Sequence, residues 1–272
     1  MRAGGIPGGK EACQDNSAKN SLSRSNHSVG RGKLAVVGIG PGSLELITPR
    51  ARSAIERAEV IIGYNTYLDQ IGKLIRNQEV HRLPMRKEME RCRLAVEMAL
   101  AGKKVAVISG GDPGIYGMAG PILEILGERE LAVVIIPGVT AALSAAAALG
   151  APLMNDFAVI SLSNLLTPWP VIEQRLQACA VGDLVTVLYN PQSKKRREQI
   201  VKAVQVFLKH RPETTPVGLV RNSERPAEEV ILTSLKKMPE HPIDMFTTVI
   251  IGNSQTFARG RYMVTPRGYR LD

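Results

Sequence analysis

The chain has 272 residues, 44% hydrophobic and 22% charged, a balance that suits one large or two modest globular domains and excludes a fibrous or fully disordered chain. Aromatic residues make up only 4%, so a core must be built from Ala, Val, Ile and Leu, the palette of helices on a buried parallel sheet, and all-β architectures are disfavoured. A formal charge of +10 attracts polyanions, whether nucleic acid, acidic lipid or a polycarboxylate small molecule, without choosing among them.

Cys13, Cys92 and Cys179 are scattered, with no CxxC or Cys/His spacing, so neither a disulfide framework nor a zinc site is expected and no metal is assigned. A reducing cytoplasm is the expected compartment. Residues 1–33 are rich in Gly, Ser, Asn and charge, with six basic residues against Glu11 and Asp15, and are expected to form a disordered basic tail. They hold no apolar stretch of the kind a secretory signal needs. Nowhere does the chain approach the roughly 20 apolar residues of a membrane span, so no membrane partner is expected.

Order is expected from Leu34, where the apolar run Leu34-Ala35-Val36-Val37 ends at Gly38. A helical pattern over 48–58 follows, with Pro49 suited to its first turn. Residues 60–62 read as a second buried strand, 89–101 as a helix, 105–108 as a third strand, 120–126 as a helix, 133–136 as a fourth strand and 141–149 as an Ala-rich helix. Such alternation predicts a parallel sheet with helices on both faces. After Gly150-Ala151-Pro152 the pattern restarts at 157–161, where polar and apolar residues interleave. Helices over 171–178 and 196–208, with strands over 183–188, 216–220, 229–233 and 248–251, complete a second, mixed sheet. The expected fold class is α/β, with an N-terminal domain over 34–152 and a C-terminal domain over 153–272.

Four glycine-bearing segments follow predicted strands: Gly38-Ile39-Gly40-Pro41-Gly42, Ser109-Gly110-Gly111-Asp112-Pro113, Pro137-Gly138-Val139-Thr140 and Ile251-Gly252-Asn253-Ser254. In open α/β sheets ligands collect beyond the carboxyl ends of the strands, where glycine lets them approach backbone groups. Each loop alone is equally consistent with a tight turn; together they suggest a shared pocket. The first superficially matches a dinucleotide fingerprint, but Pro41 removes a donor where a pyrophosphate needs one, and Ser43 takes the last glycine position. No acid ends the second strand, and no phosphate-binding G-x-x-x-x-G-K-[ST] loop is present.

Taken in order, the segments resemble the tetrapyrrole (corrin/porphyrin) methylase family, and within it the branch that methylates carbon 17 of a corrin precursor and contracts its ring. The residues carrying the resemblance are Val37-Gly-Ile-Gly-Pro-Gly-Ser43 with Thr48-Pro-Arg50, Ile62-Gly-Tyr-Asn-Thr-Tyr67, Ser109-Gly-Gly-Asp-Pro-Gly-Ile-Tyr-Gly-Met118 and Gly138-Val-Thr-Ala-Ala142. They continue through Leu149-Gly-Ala-Pro-Leu153, Ser161-Leu-Ser163, Leu166-Thr-Pro-Trp169, Leu188-Tyr-Asn-Pro191, Gly252-Asn-Ser254 and Thr265-Pro-Arg-Gly-Tyr269.

The resemblance implies two α/β domains with S-adenosyl-L-methionine in the cleft between them and a tetrapyrrole, a corrinoid precursor with or without cobalt, as substrate. It assigns Pro41, Gly110, Gly111, Asp112, Ile115, Tyr116, Thr140, Ala141, Tyr189, Asn190, Arg221 and Asn222 to the cofactor. Substrate contacts are expected from Gly40, Gly42, Arg50, Asn65, Arg86 and Trp169. Asp112 also reads as a helix N-cap before Pro113. Related uroporphyrinogen methylases carry an acid after the second strand and a later lysine; here Tyr64 and Pro84-Met85-Arg86 stand there, so that acid/base pair is not carried over. Ring contraction calls for a proton acceptor, and Tyr64, Tyr67, Ser43 and Thr167 are the candidates. The substrate's carboxylates need cationic partners, for which Arg50, Arg86, Lys87, Lys194, Lys195 and Arg196 are placed near the loops.

A homodimer is expected from the resemblance. Two other readings remain open: another corrin-pathway methylase, and a ribosomal RNA ribose methyltransferase of the same fold. The second is disfavoured because no basic stripe with interleaved aromatics appears, so no nucleic-acid partner is assigned.

Overall fold

The computed structural model describes residues 32–193 and 196–270. The tail expectation over 1–31 and the Lys194–Lys195 pair lie outside the described residues. The described chain begins with β1 (Lys33–Gly38), α1 (Pro49–Arg57), β2 (Val60–Tyr64), α2 (Asn65–Gln70), β3 (Glu79–Leu83), α3 (Glu88–Leu100), β4 (Lys104–Ser109), α4 (Ala119–Leu126) and β5 (Ala132–Ile136). It continues with α5 (Ala141–Leu149), β6 (Gly150–Ala151), β7 (Phe157–Ser161), α6 (Trp169–Val181), β8 (Val185–Tyr189) and α7 (Glu198–Leu208). β9 (Pro216–Arg221), β10 (Glu229–Ser234), β11 (Thr247–Ile251), β12 (Phe257–Arg259) and β13 (Tyr262–Val264) complete it.

The first sheet has strand order β3-β2-β4-β1-β5, parallel throughout. The central strands β1, β2 and β4 are apolar at consecutive positions because both faces are covered. Leu34, Val36, Val60, Ile62, Val105 and Val107 pack on one side with α3 and α4 residues such as Val96 and Ile122. Val37, Ile61, Ala106 and Ile108 pack on the other with Ile55 of α1 and Leu68 of α2. Period-2 alternation thus decides which helix each strand residue meets. Thr48 Oγ1 accepts from the Ala51 N–H at 3.1 Å and Pro49 opens α1, so that helix starts where its cap chemistry dictates.

The second sheet runs β10-β9-β11-β8-β7, with β7 and β8 parallel and the other pairings antiparallel. α6 and α7 cover one face through Ile172, Leu176, Val204 and Phe207. The other face is covered by α5, whose Ala142, Ala145 and Leu149 pack with Val185, Val187, Val220 and Ile250. Alternation along the chain groups 141–149 with the first sheet; in the structure α5 is core of the second, and the chain crosses between β5 and α5. The reason is steric: Gly218 in β9 has no Cβ, and the space a Cβ would need is filled by the Leu149 side chain. A small sheet, β12-β13-β6, closes the far end of α5.

Because β7, β8 and β9 run parallel to one another, their carboxyl ends lie on one edge of the second sheet, together with the start of β11. The carboxyl ends of the five first-sheet strands form the edge that meets it.

Candidate active site

The loops at these two edges are joined by hydrogen bonds from side chains predicted as site residues. After β1, Gly40 turns back at φ +76° and exchanges two backbone hydrogen bonds with Gly111: Gly40 N–H to Gly111 O at 3.2 Å and Gly111 N–H to Gly40 O at 2.8 Å. Gly38 and Gly138 sit so close that a Cβ on Gly38 would lie 2.7 Å from both Gly111 O and Gly138 N. Three loops of the first sheet therefore touch backbone to backbone, which only glycine allows.

Asp112 holds them there. Its Oδ1 accepts from Gly114 N–H at 2.8 Å and its Oδ2 from Gly138 N–H at 3.1 Å, tying the β4 loop to the β5 loop. No helix follows it directly, since α4 starts at Ala119, so the N-cap reading does not hold. An ionised carboxylate has about four lone-pair sites, so each oxygen keeps acceptor capacity for a ligand ammonium or hydroxyl.

Two tyrosines join the edges. Tyr116, at φ +53° and 60% exposed, donates to Val159 O and accepts from Ser161 N–H, each at 3.1 Å, so a loop of the first sheet is bound to β7. Tyr189, at the end of β8, accepts from Ala142 N–H at 2.6 Å and shares a hydrogen bond with Thr140 Oγ1. Its hydroxyl thereby caps α5, whose own N-cap Thr140 makes no side-chain cap bond within the helix. Burial pushes the Tyr189 phenol above its ordinary value, against the opposing pull of those two hydrogen bonds. The two rings lie 5.9 Å apart. Ala141 follows Thr140 at the start of α5, and exposed Ile115 precedes Tyr116.

Backbone strain concentrates here. Six of the seven described non-glycine residues with positive φ lie in loops that follow strands: Arg86, Tyr116, Asn190, Asn222, Glu224 and Ala227. Such conformations cost free energy and persist where surrounding contacts over-determine them, often at functional sites. Asn190 Nδ2 donates to Ser161 Oγ at 2.9 Å and Asn222 Nδ2 to Ala227 O at 3.3 Å.

Tyr64 ends β2, and its ring meets that of Tyr67 edge to face with centroids 5.4 Å apart. Burial pushes the Tyr67 phenol above its ordinary value, against the opposing pull of Arg225. Gly110 is matched to it: a Cβ there would lie 2.5 Å from Tyr67 Cζ. Sequence reasoning passed over Arg225. Its Nε donates to Pro41 O at 2.7 Å, and its side-chain carbons occupy the space a Gly42 Cβ would need. The missing Cβ was legible; its partner, 184 residues away, was not.

The remaining candidates are spread more widely. Ser43 Oγ accepts from Glu45 N–H at 3.1 Å and caps a 3-10 turn. Arg50 and Asn65 are exposed in the first turns of α1 and α2, and Arg86 is exposed in the loop after edge strand β3. Thr167 is half-buried beside Leu166, which is 98% exposed. Trp169 opens α6 and packs on the α6–α7 core under Lys202 Nζ, 5.9 Å from its ring centroid. Arg196 spends its guanidinium on Leu162 O, Asn190 O and Met245 Sδ. Arg221 is paired with Asp244 at 2.8 Å. Burial pushes Asp244 up, but hydrogen bonds from Arg221, Phe246 N–H and Thr247 outweigh it and hold the carboxyl below its ordinary value.

Two α/β lobes whose strand-end loops lock together around glycines, tyrosines and one carboxylate form the kind of seam where α/β proteins bind small ligands. Comparison with known proteins makes this specific: residues 33–239 match the tetrapyrrole (corrin/porphyrin) methylases, and the chain belongs to that family. It is 50% identical over 246 residues to the cobalt-factor III methyltransferase of Priestia megaterium, covering 88% of this chain and 46% of that protein. It thus spans about half the length of that relative. To the probable cobalt-factor III C(17)-methyltransferase of Salmonella typhimurium it is 46% identical, covering 88% of this chain and all of that protein (100%). Among solved structures, the methyltransferase CobJ superposes with a TM-score of 0.82 at 36% identity, over 86% of this chain and 100% of that one. A Thermus thermophilus uroporphyrin-III C-methyl transferase complexed with S-adenyl homocysteine gives 0.67 at 25% identity, over 81% of this chain and 97% of that one. Among the described residues, no helix is long and apolar enough to cross a membrane and no group of His, Cys, Asp and Glu could hold a metal ion.

Proposed function

We propose that the chain transfers a methyl group from S-adenosyl-L-methionine to carbon 17 of a cobalt-factor III or precorrin-3B type corrinoid, with ring contraction, in cobalamin synthesis. The observation that carries this reading is the backbone locking of three first-lobe strand-end loops around Gly111, tied to the second lobe through Tyr116, Tyr189 and Arg225, in a family whose relatives bear that activity in their names.

The cofactor supplies an electrophilic methyl group on a sulfonium, so no side-chain nucleophile is needed and the protein's work is to position two ligands and keep water out. The residues present suit it. Gly111 carries no side chain where its backbone borders the Thr140–Ala141 turn, a Cβ there lying 3.6 Å from Thr140 Cα, which leaves a smooth polar wall of peptide groups. Asp112 offers its remaining lone pairs to an ammonium or hydroxyl. Asn190, Arg221 and Asn222 stand at the carboxyl ends of β8 and β9, on the second-lobe edge that meets it. Tyr67, with its phenol raised by burial, stays protonated at neutral pH and in this reading donates a hydrogen bond to the macrocycle. The proton relay of ring contraction is sought among Tyr64, Tyr67, Ser43 and Thr167.

Homodimeric assembly and action in the cytoplasm belong to the same proposal; light scattering on the purified chain tests the first. The activity is tested by incubating the protein with S-adenosyl-L-methionine and either cobalt-factor III or precorrin-3B, followed by mass and absorption spectra. One added methyl group and an altered macrocycle absorption spectrum are expected with at least one. No methyl gain with either sinks the proposal.

A further inference from the structure

The most unusual cation in the described structure is Arg225. Its loop, between β9 and β10, is built to hold it still. Asn222, Glu224 and Ala227 have positive φ, Glu224 N–H donates to Glu228 Oε2 at 2.6 Å, Arg225 N–H donates to Asn222 O at 2.9 Å, and Ser223 hydrogen-bonds Ser144 of α5. From this frame the side chain reaches across to the first lobe, where Nε donates to Pro41 O and the methylene stem packs against Gly42.

Other arginines at this edge are already spent or lie in water. Arg221 has Asp244, Arg196 has two carbonyls and a thioether, and Arg50 and Arg86 are exposed. At the far edge, buried Arg211 spends its two terminal nitrogens on the carbonyls of Gly252, Cys179 and Leu184, with Asp183 3.9 Å from Nε. Arg225 is half-buried and uses one nitrogen. Among the described residues its two terminal nitrogens have no hydrogen-bond partner and no carboxylate pairs with it. The titratable group it senses is the Tyr67 phenol, which is neutral at physiological pH. A partly desolvated guanidinium with an open planar fork is a costly arrangement unless an anion completes it, and a carboxylate matches that fork with two parallel hydrogen bonds.

We propose that Arg225 receives a carboxylate of a bound ligand between the Pro41–Gly42 turn and Tyr67, with its two terminal nitrogens as paired donors. This rests on the methyltransferase reading above, under which both ligands carry carboxylates: one on the cofactor's amino-acid part and several on the tetrapyrrole rim. Because Nε is fixed by Pro41, the fork is preorganised, and a ligand engaging it also senses the Gly40–Gly42 loop.

The test compares the full chain with Arg225→Gln and Arg225→Lys by calorimetric titration with S-adenosylhomocysteine and with 5′-methylthioadenosine, which lacks the carboxylate. An absorption titration with uroporphyrin III, a polycarboxylate tetrapyrrole, completes it. The expected result is binding weakened about tenfold or more in Arg225→Gln for one or both carboxylate ligands, with 5′-methylthioadenosine unaffected. Loss confined to S-adenosylhomocysteine assigns the cofactor's carboxylate, and loss confined to uroporphyrin III assigns the tetrapyrrole's. The lysine variant, a point charge without the fork, should recover part of the loss, and it stands in if the glutamine variant does not fold. Unchanged binding of both carboxylate ligands overturns the inference, as does an equal loss for 5′-methylthioadenosine, which marks a purely structural role. If the wild-type chain binds neither S-adenosylhomocysteine nor uroporphyrin III, the failure is that of the methyltransferase reading itself.

Discussion

At Gly110 a single hydrogen stands where any other residue would put carbon into the ring of Tyr67, with would-be contacts of 2.5 and 2.6 Å to Cζ and Cε1. Aromatic rings do not yield at such distances, so Gly110→Ala is expected to displace Tyr67 and cost about 1–3 kcal/mol of stability. Denaturant unfolding measures the cost, and methyl transfer should fall with it. Asp112→Asn replaces one acceptor by an NH2 group that faces a backbone N–H, an expected loss of about 1–3 kcal/mol together with weakened S-adenosylhomocysteine binding by calorimetry. Asp244 gives a pH prediction. Its folded value lies below the unfolded one, so its contribution is complete above the ordinary carboxylate range near pH 4 and is lost as pH falls through the depressed folded value. The acid limb of the melting temperature between about pH 4 and pH 2 should therefore be shallower in Asp244→Asn than in wild type. Much of the candidate site could be proposed from residue identity, because Gly110, Gly111, Asp112 and Tyr116 form one recognisable stretch. Arg225 could not, because what singles it out is contact with Pro41 and Gly42.

Among the elements, the strands buried on both faces, β1, β2 and β4, were legible because consecutive apolar residues need two apolar partners, and edge strand β5 because its run Val133–Ile136 is wholly apolar. β3 was not. Its sequence Glu79-Val80-His81-Arg82-Leu83 has one buried residue, as befits an edge strand with water along one side. β6, β12 and β13 were missed for a related reason: they are two or three residues long, and β12 is exposed throughout. The allegiance of α5 was illegible because an Ala-rich helix suits either sheet; the match of Leu149 to Gly218 decides it. Gly218→Ala is expected to cost about 1–3 kcal/mol by overpacking and Leu149→Ala about 2–5 kcal/mol by leaving a cavity. In the double variant the new methyl group refills part of that cavity, so the combined loss should fall short of the sum by at least about 0.5 kcal/mol in a denaturation cycle.

At the scale of the whole molecule, two sheets share one seam, and the connection between them is held from both sides. Gly138 N–H is bound by Asp112 in the first lobe, and Thr140 with Ala142 N–H by Tyr189 in the second. Tyr189→Phe removes a cap and leaves Ala142 N–H without its acceptor, an expected loss of about 1–2 kcal/mol, with faster amide exchange at the start of α5. That crossover is a weld in mechanical terms. Pinned to both lobes, the connecting segment offers little slack for a hinge, so ligand entry is expected to rely on side-chain and loop motions at the Tyr116 and Arg225 ties. An insertion at 137–141 would therefore do more harm than a longer one elsewhere on the surface, since it would separate Gly138, held by Asp112, from Thr140 and Ala142, held by Tyr189.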